Sequence, residues 1–457
     1  MKRLHKKLIE TTLLALGHTL FTACGGGSGG EGTPTPDTTS TWEGMLTVDI
    51  GGENAFNPKI SMDTSGNTLA VWKQSDGGRQ AIWSNNHSML SGWGTAEKIE
   101  IEDFGSSENP QIAMDSTGNA FAVWQQHDGT HTNIWANRYT EVSGWGVAQK
   151  IELEDFRRAY NPQVAVDSAG NALAVWELQF NDRRSDIWSN RYTVGSGWGT
   201  AQKIEFEDVG SSDNPRIDMD SAGNALVVWE QYDVPTTDYK IWANRYTLRG
   251  GWGLSQTIQT VGSRNASNVQ IAMDPLGNGF AIWTHSNTSG SNIWVNRYTA
   301  GSGWGAVEKM QGVDITGGVG SPQIVMDASG NAFAAWPQYN GRVDDIWAKH
   351  YAIGTGWGAA QKIDTEDLGD ARFPQLALDP LGNAFAVWYQ HDGSRYNIWA
   401  NYYTAGRNWG IAEKLETENF GDATNPQIAM DDLGNALAVW YQYDGTRSNI
   451  QSNTFMK

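Results

Sequence analysis

Along most of the chain apolar and polar residues alternate with a period of two, and no long window shows the recurrence of an amphipathic helix. The stretch beginning at residue 109 shows the unit. PQIAMD is a short apolar run that ends at Asp115, and Gly118-Asn119 marks a turn. AFAVWQQ then alternates, with Ala120, Ala122 and Trp124 on one face and Phe121 and Val123 on the other. Asp128-Gly129 is a second turn signal, and NIWANRYT forms a third strand carrying Trp135 and Tyr139. GWGVAQKIEL reads as a fourth strand with charge at alternate positions. Each unit thus predicts four short antiparallel strands.

The unit is written eight times. Its mark, Asp-x-x-Gly-Asn, begins at Asp63, Asp115, Asp167, Asp220, Asp274, Asp327, Asp379 and Asp431, at intervals of 52 to 54 residues. Four-stranded units at this period predict an all-β fold, an eight-bladed β-propeller of four-stranded antiparallel blades. The first two strands, small and apolar on both faces, belong near the axis. The fourth carries Glu97 and Lys98, or Gln149 and Lys150, the charge that blunts an outer edge. The last unit stops after its third strand, SNIQSNTFMK, while residues 42–50, WEGMLTVDI, repeat the fourth-strand pattern with Trp42 in the place of Trp93 or Trp145. The N-terminal strand is expected to complete the last blade and close a propeller spanning residues 42–457.

All 23 tryptophans fall on repeat positions. One set ends the second strands, from Trp72 to Trp440. Another lies in the third strands, Trp83 through Trp399, with Gln451 in the eighth place. The last begins the fourth strands, Trp93 through Trp409, completed by Trp42. A buried indole covers ~150–250 Å², so the first two sets read as packing between blades. The fourth-strand set, flanked by glycine, is expected to be the more exposed.

The N-terminus lies outside the repeat. Lys2, Arg3, Lys6 and Lys7 precede a mostly apolar stretch from Leu8 to Thr22, followed by Phe21-Thr22-Ala23-Cys24 and three glycines. This resembles a bacterial lipoprotein signal, which implies removal of residues 1–23 and lipidation of Cys24. Glu10, His18 and Phe21 depart from that pattern, and a plain secretory signal is the alternative. Residues 24–41 read as a flexible Gly/Ser/Pro/Thr tether. Gly25 after the cysteine resembles lipoproteins sorted to the outer membrane, on its periplasmic side or at the cell surface. No later stretch approaches the ~20 apolar residues of a span.

The net charge is −19, and loss of the basic leader makes it more negative. Such a charge argues against nucleic acid as a partner and against adhesion to anionic lipid, leaving the lipid anchor as the only membrane contact. Cys24 is the only cysteine, so no disulfide can form. A monomer is expected.

Two kinds of loop converge on the face opposite the Asp-x-x-Gly-Asn turns, here called the top. One carries Gln-(His/Tyr)-Asp-Gly, with His127-Asp128, His391-Asp392 and Tyr443-Asp444, and arginines follow at Arg395 and Arg447. A ring, a carboxylate and a guanidinium together suit hydroxyl-rich ligands. The alternative is that Asp-Gly simply makes the turn. The other loops are acidic, with Glu102-Asp103, Glu154-Asp155, Glu207-Asp208, Glu366-Asp367 and Glu418. None has calcium-loop spacing, and His127 and His131 have no third ligand with them, so no metal is expected. Blades three to five vary most. Arg157, Arg158, Arg183 and Arg184 form an Arg-rich rim in blade three, the second candidate surface.

Over residues 42–457 the chain resembles bacterial secreted or lipoprotein β-propellers with Asp-x-x-Gly-Asn-Ala-x-Ala-Val-Trp repeats. More loosely it resembles propeller lectins, which share the Gly-Trp outer strand, the Pro-initiated inner strand and the Trp-containing third strand. That likeness implies sugar sites between blades, with no lectin residue carried over. The Ser-x-Asp-x-Gly-x-x-Trp box of sialidases is not present, and no Ser/His/Asp set stands out, so neither catalytic residues nor a cofactor is expected. The motif pattern of the eight-bladed lipoprotein of the outer-membrane barrel assembly machinery is also lacking. The expectation is a membrane-anchored, non-catalytic module that binds carbohydrate, or an envelope or extracellular protein, through top-face loops or inter-blade clefts. A scaffold in envelope assembly and a glycan-active enzyme are the alternatives.

Overall fold

The computed structural model describes residues 41–100, 105–152, 157–181, 184–206, 210–259, 265–287, 290–311, 318–365, 368–416 and 421–457. The leader, Cys24 and the tether to residue 40 lie outside them, as do Arg183, Glu418 and the pairs Glu102-Asp103, Glu154-Asp155, Glu207-Asp208 and Glu366-Asp367. Among the described residues every regular element is a strand, and the strands form eight antiparallel sheets. This is an eight-bladed β-propeller.

Blade two stands for the rest. Its first three strands are Ser107–Met114, Ala120–His127 and Thr132–Thr140, paired in that order. The Asp-x-x-Gly-Asn turn joins the first two. Asp115 Oδ1 accepts from the amides of Thr117 (2.9 Å) and Asn119 (3.0 Å), and Oδ2 accepts from Asn119 Nδ2 (3.0 Å). Gly118 has φ 83°, and a Cβ there would stand 3.2 Å from Asp63 Oδ2 of the preceding blade. The turn therefore favours glycine, and any side chain there would crowd the neighbouring blade.

The outer strand differs from expectation. It is two fragments, Gly144–Trp145 and Gln149–Lys150, each paired with the third strand. At the break Asn137 Nδ2 donates to Gly146 O (3.1 Å) of its own blade and to Ile99 O (2.9 Å) of the preceding one. The side chain takes a place in the ladder, and the interruption becomes a link between blades.

Blades pack face to face. Val71, Ile82 and Ile99 of blade one enclose Ala122, Trp124 and Ala148 of blade two. The eight second-strand tryptophans are 0–1% exposed. In six blades the indole donates to the glutamine two residues on, as Trp72 does to Gln74 Oε1 at 2.8 Å. The third- and fourth-strand tryptophans are both half-buried, so the fourth-strand set is not set apart by exposure. Three of its indoles bond the preceding blade: Trp93 to Ser452 Oγ (2.8 Å), Trp252 to Ser189 Oγ (3.0 Å) and Trp42 to Glu413 Oε1 (2.9 Å).

The ring closes through the N-terminal strand. Thr41–Trp42 and Leu46–Thr47 pair with the last strand, Ser448–Met456. Val48 and Ile450 then pack on Ala55, Ala70 and Trp72 of blade one, as any blade packs on the next.

Candidate functional site

The Asp-Gly loops lie on the top face, and their polar atoms are committed within the turns. Asp128 Oδ1 accepts from the amides of Thr130 and His131 (both 2.8 Å) and the Thr130 hydroxyl (2.7 Å), and Oδ2 accepts from Asn133 Nδ2 (2.8 Å). Partial desolvation works against the charge, but these bonds outweigh it and hold the carboxyl well below its usual range. Asp392 is held the same way, chiefly by Ser394 and Arg395. For Asp444 the Thr446 hydroxyl contributes most, then the Arg447 amide. His127 and His391 accept from Gly129 and Gly393 through Nδ1 (3.0 and 3.1 Å), and the Tyr443 hydroxyl donates to Gly445 O (2.9 Å). Arg395 donates to Asn397 Oδ1 (3.3 Å). Arg447 pairs with Asp444 (3.7 Å) and lies against Gly51 of the closing segment.

In the blade-three rim, Arg157 lies over the Phe180 ring at 3.5 Å and Arg184 pairs with Asp186 at 3.3 Å. Arg158 begins the first strand, exposed. Arg157 and Arg184 are thus engaged within blade three, and Arg183 lies outside the described residues.

Convergent side chains are found instead in the central channel, a cavity of about 420 Å³ lined by the first strands. Seven of these strands carry a bulge, and its residue has φ near 50°: Asn57, Asn109, Asn161, Asn214, Asn268, Phe373 and Asn425. Asparagine tolerates this left-handed conformation better than most residues. In three blades the side chain after the second-strand tryptophan caps the bulge of the next blade. Gln125 accepts from the Asn161 amide (3.2 Å), Glu177 from Asn214 (2.6 Å) and Glu230 from Asn268 (2.7 Å).

Two residues past the bulge stands an equivalent position in each blade, and all but Gln163 line the channel. Six blades place glutamine there: Gln111, Gln163, Gln270, Gln323, Gln375 and Gln427. Blades one and four place Lys59 and Arg216. Lys59 Nζ donates to Gln427 Oε1 (3.4 Å). Burial, and then the charge of Arg216, pulls the Lys59 ammonium down to about 8. Burial also lowers Arg216, against the opposing pull of Glu230 and Glu177.

Blade six breaks the pattern. Its first strand is only Gln323–Met326, preceded by Gly320-Ser321 instead of the bulge, and Pro337 replaces the capping side chain. A cleft of about 340 Å³ opens there, lined by Val319, Pro337 and Phe373 with the Arg372–Asp344 pair (3.0 Å) at its wall. Phe373 is shared by the cleft and the channel. It is 50% exposed and stacks on Tyr389 at 5.5 Å and 25°. Sequence reasoning missed these groups. The signal was present in the position after Pro58, Pro110 and their equivalents, where Lys59 and Arg216 interrupt a run of glutamines.

No protein-family model and no curated protein matches the chain. Among solved structures it is similar to a protein of unknown function from Dyadobacter fermentans, with 11% identity over 91% of this chain and 98% of that one and a TM-score of 0.45. It is also similar to the β-propeller domain of the Trilobed protease from Pyrococcus furiosus (9% identity, 80% and 96% covered, TM-score 0.47). A third is an ulvan lyase (9% identity, 89% and 95% covered, TM-score 0.48). At such values the likeness carries no argument about this chain, whose propeller architecture rests on its own eight sheets.

Proposed function

We propose that the protein is a non-catalytic binding module whose channel mouth and adjoining cleft receive a hydroxyl-rich ligand, a saccharide. Phe373 carries this reading. Six other bulges share its backbone conformation, all with asparagine, and here a bulky aromatic occupies it, half-exposed between two cavities. A non-glycine residue held at positive φ is strained by ~1–3 kcal/mol, and such strain concentrates at functional sites. The ring offers an apolar platform for a sugar face. The asparagines and glutamines of the channel, with Arg372 and Asp344 at the cleft wall, offer paired donors and acceptors for its hydroxyls.

The buried Glu177 and Glu230 do not favour an enzyme. Each caps a bulge amide as the neutral Gln125 does, which is a scaffold task. Lipidation at Cys24 would hold the propeller at the outer membrane, and Cys24→Ala would then release it to the soluble fraction.

The test is a glycan array with the wild type and Phe373→Asn, which introduces the residue six other blades carry at the bulge. Binding by the wild type is expected, with loss in the variant and no loss of melting temperature. A silent wild-type array would sink the saccharide reading. Binding unchanged in Phe373→Asn would move the site elsewhere on the propeller.

A further inference from the structure

We infer that the channel holds an oxyanion of the bound saccharide, a carboxylate or a sulfate ester, at a site to which Lys59 and Arg216 both contribute. This rests on the saccharide reading above and deepens it. Eight first strands carry an equivalent position, seven of them lining the channel, and the six glutamines show that a neutral amide satisfies the fold. The two exceptions are both cations, in a chain of net charge −19. Among the described residues, neither lies within 4.0 Å of a carboxylate. Lys59 feels Arg216 as a like charge, and both are partly desolvated. Glu230 and Glu177 act on Arg216 from beyond 4.0 Å, while Lys59 has the like charge of Arg216 facing it, an unfavourable arrangement that a bound anion would relieve.

The carboxylates nearby have other partners. Glu177 accepts from Asn161 Nδ2 (2.9 Å) and the Asn214 amide (2.6 Å), while Glu230 accepts from the Asn268 amide (2.7 Å). Asp218, two residues beyond Arg216 on the same strand face, accepts from the amides of Met219 (2.8 Å) and Met273 (2.7 Å). They temper the charge of Arg216 without pairing it. Lys59 Nζ has a glutamine oxygen of the adjacent blade within reach and, among the described residues, no carboxylate within 4.0 Å. A ligand whose sugar ring rests on Phe373 can then place an acidic substituent among amide and ammonium donors, the arrangement that charge-assisted hydrogen bonds favour.

Isothermal titration of the mature chain with three trisaccharides tests this: an oligogalacturonide, its carboxyl-reduced counterpart and a sulfated galactan fragment. One or both acidic ligands are expected to bind about tenfold or more tightly than the neutral one, and to weaken as salt is raised. Which of them binds identifies the anion as carboxylate or sulfate. Lys59→Gln is expected to remove that preference, leave neutral binding unchanged and melt no lower than wild type, since six blades already carry glutamine. Arg216→Gln is expected to act alike; should it fold poorly, Lys59→Gln decides. Equal binding of acidic and neutral ligands would overturn the anion site while leaving the saccharide reading intact. No binding by any trisaccharide also overturns it, and only a silent glycan array would remove the saccharide reading as well.

Discussion

The side-chain amide of Asn85 donates to the carbonyl oxygen of Val48 at 3.0 Å, so the first blade is fastened to the strand that closes the eighth. The same bond recurs from Asn190 to Ile151 O (2.8 Å), Asn244 to Ile204 O (2.7 Å) and Asn401 to Ile363 O (2.8 Å). In seven blades one asparagine thus ties the outer strand of the preceding blade. Asn137→Ala should leave the Ile99 carbonyl without this donor and cost ~1–3 kcal/mol. Thermal melts would read this as a lowered midpoint; an unchanged midpoint would make the contact incidental. Blade six, with Lys349 in the same position, does without it.

Closure by the N-terminal strand adds a second expectation. Asp49 Oδ1 accepts the Ile450 amide at 2.9 Å, and Val48 lies in the core between the last blade and the first. Deleting residues 42–50 strips the outer strand from blade eight and bares that core. The melting temperature should fall by roughly 10 °C or more. A melt like that of the full chain would mean the ring holds without its closing strand.

The tryptophan–glutamine pair can be tested within one blade. Trp72 is fully buried, and its indole bonds Gln74. In blade three Leu178 stands in the glutamine's place, and the Trp176 indole nitrogen has no partner. Gln74→Leu should reproduce that arrangement at a cost of ~1–3 kcal/mol, because a buried donor is left unsatisfied. Urea unfolding with an unchanged slope and a lower midpoint is the expected signature.

Phe373 and Lys59 show where sequence reasoning stops. Strands, blade number and closure are legible because each is written eight times with a period of two. A channel site takes one residue from each of several blades, so it has no local pattern, and its members matter as departures from a repeat. Lys59 and Arg216 are such departures, hidden among glutamines that look like ordinary strand polarity. The left-handed conformation at Phe373 has no sequence mark of its own, since its neighbours at that position are asparagines in a strand. The Asp-Gly loops drew notice because they are conspicuous, yet hydrogen bonding within each turn occupies their carboxylates.

The buried acids at the ends of the outer strands set the pH dependence. Glu416 accepts the Ile398 amide at 3.0 Å and Asp364 the Ile346 amide at 3.0 Å. Burial raises both to about 7, with Asp345 contributing to the rise of Asp364. Between the ordinary carboxylate range and pH 7 the folded chain therefore binds more protons than the unfolded one, and stability falls as pH rises through that window. Below it the sign reverses, because Asp128, Asp392 and Asp444 are held low in the fold and lose their contribution as they protonate. The stability maximum should lie in mild acid. Blades four and five already use Gln259 and Gln311 to accept the equivalent amides, at 3.3 and 2.9 Å. Glu416→Gln should therefore stabilise the protein at pH 8 by about 2 kcal/mol and change little at pH 5. Equal effects at the two pH values would show that Glu416 is ionised in the folded chain throughout.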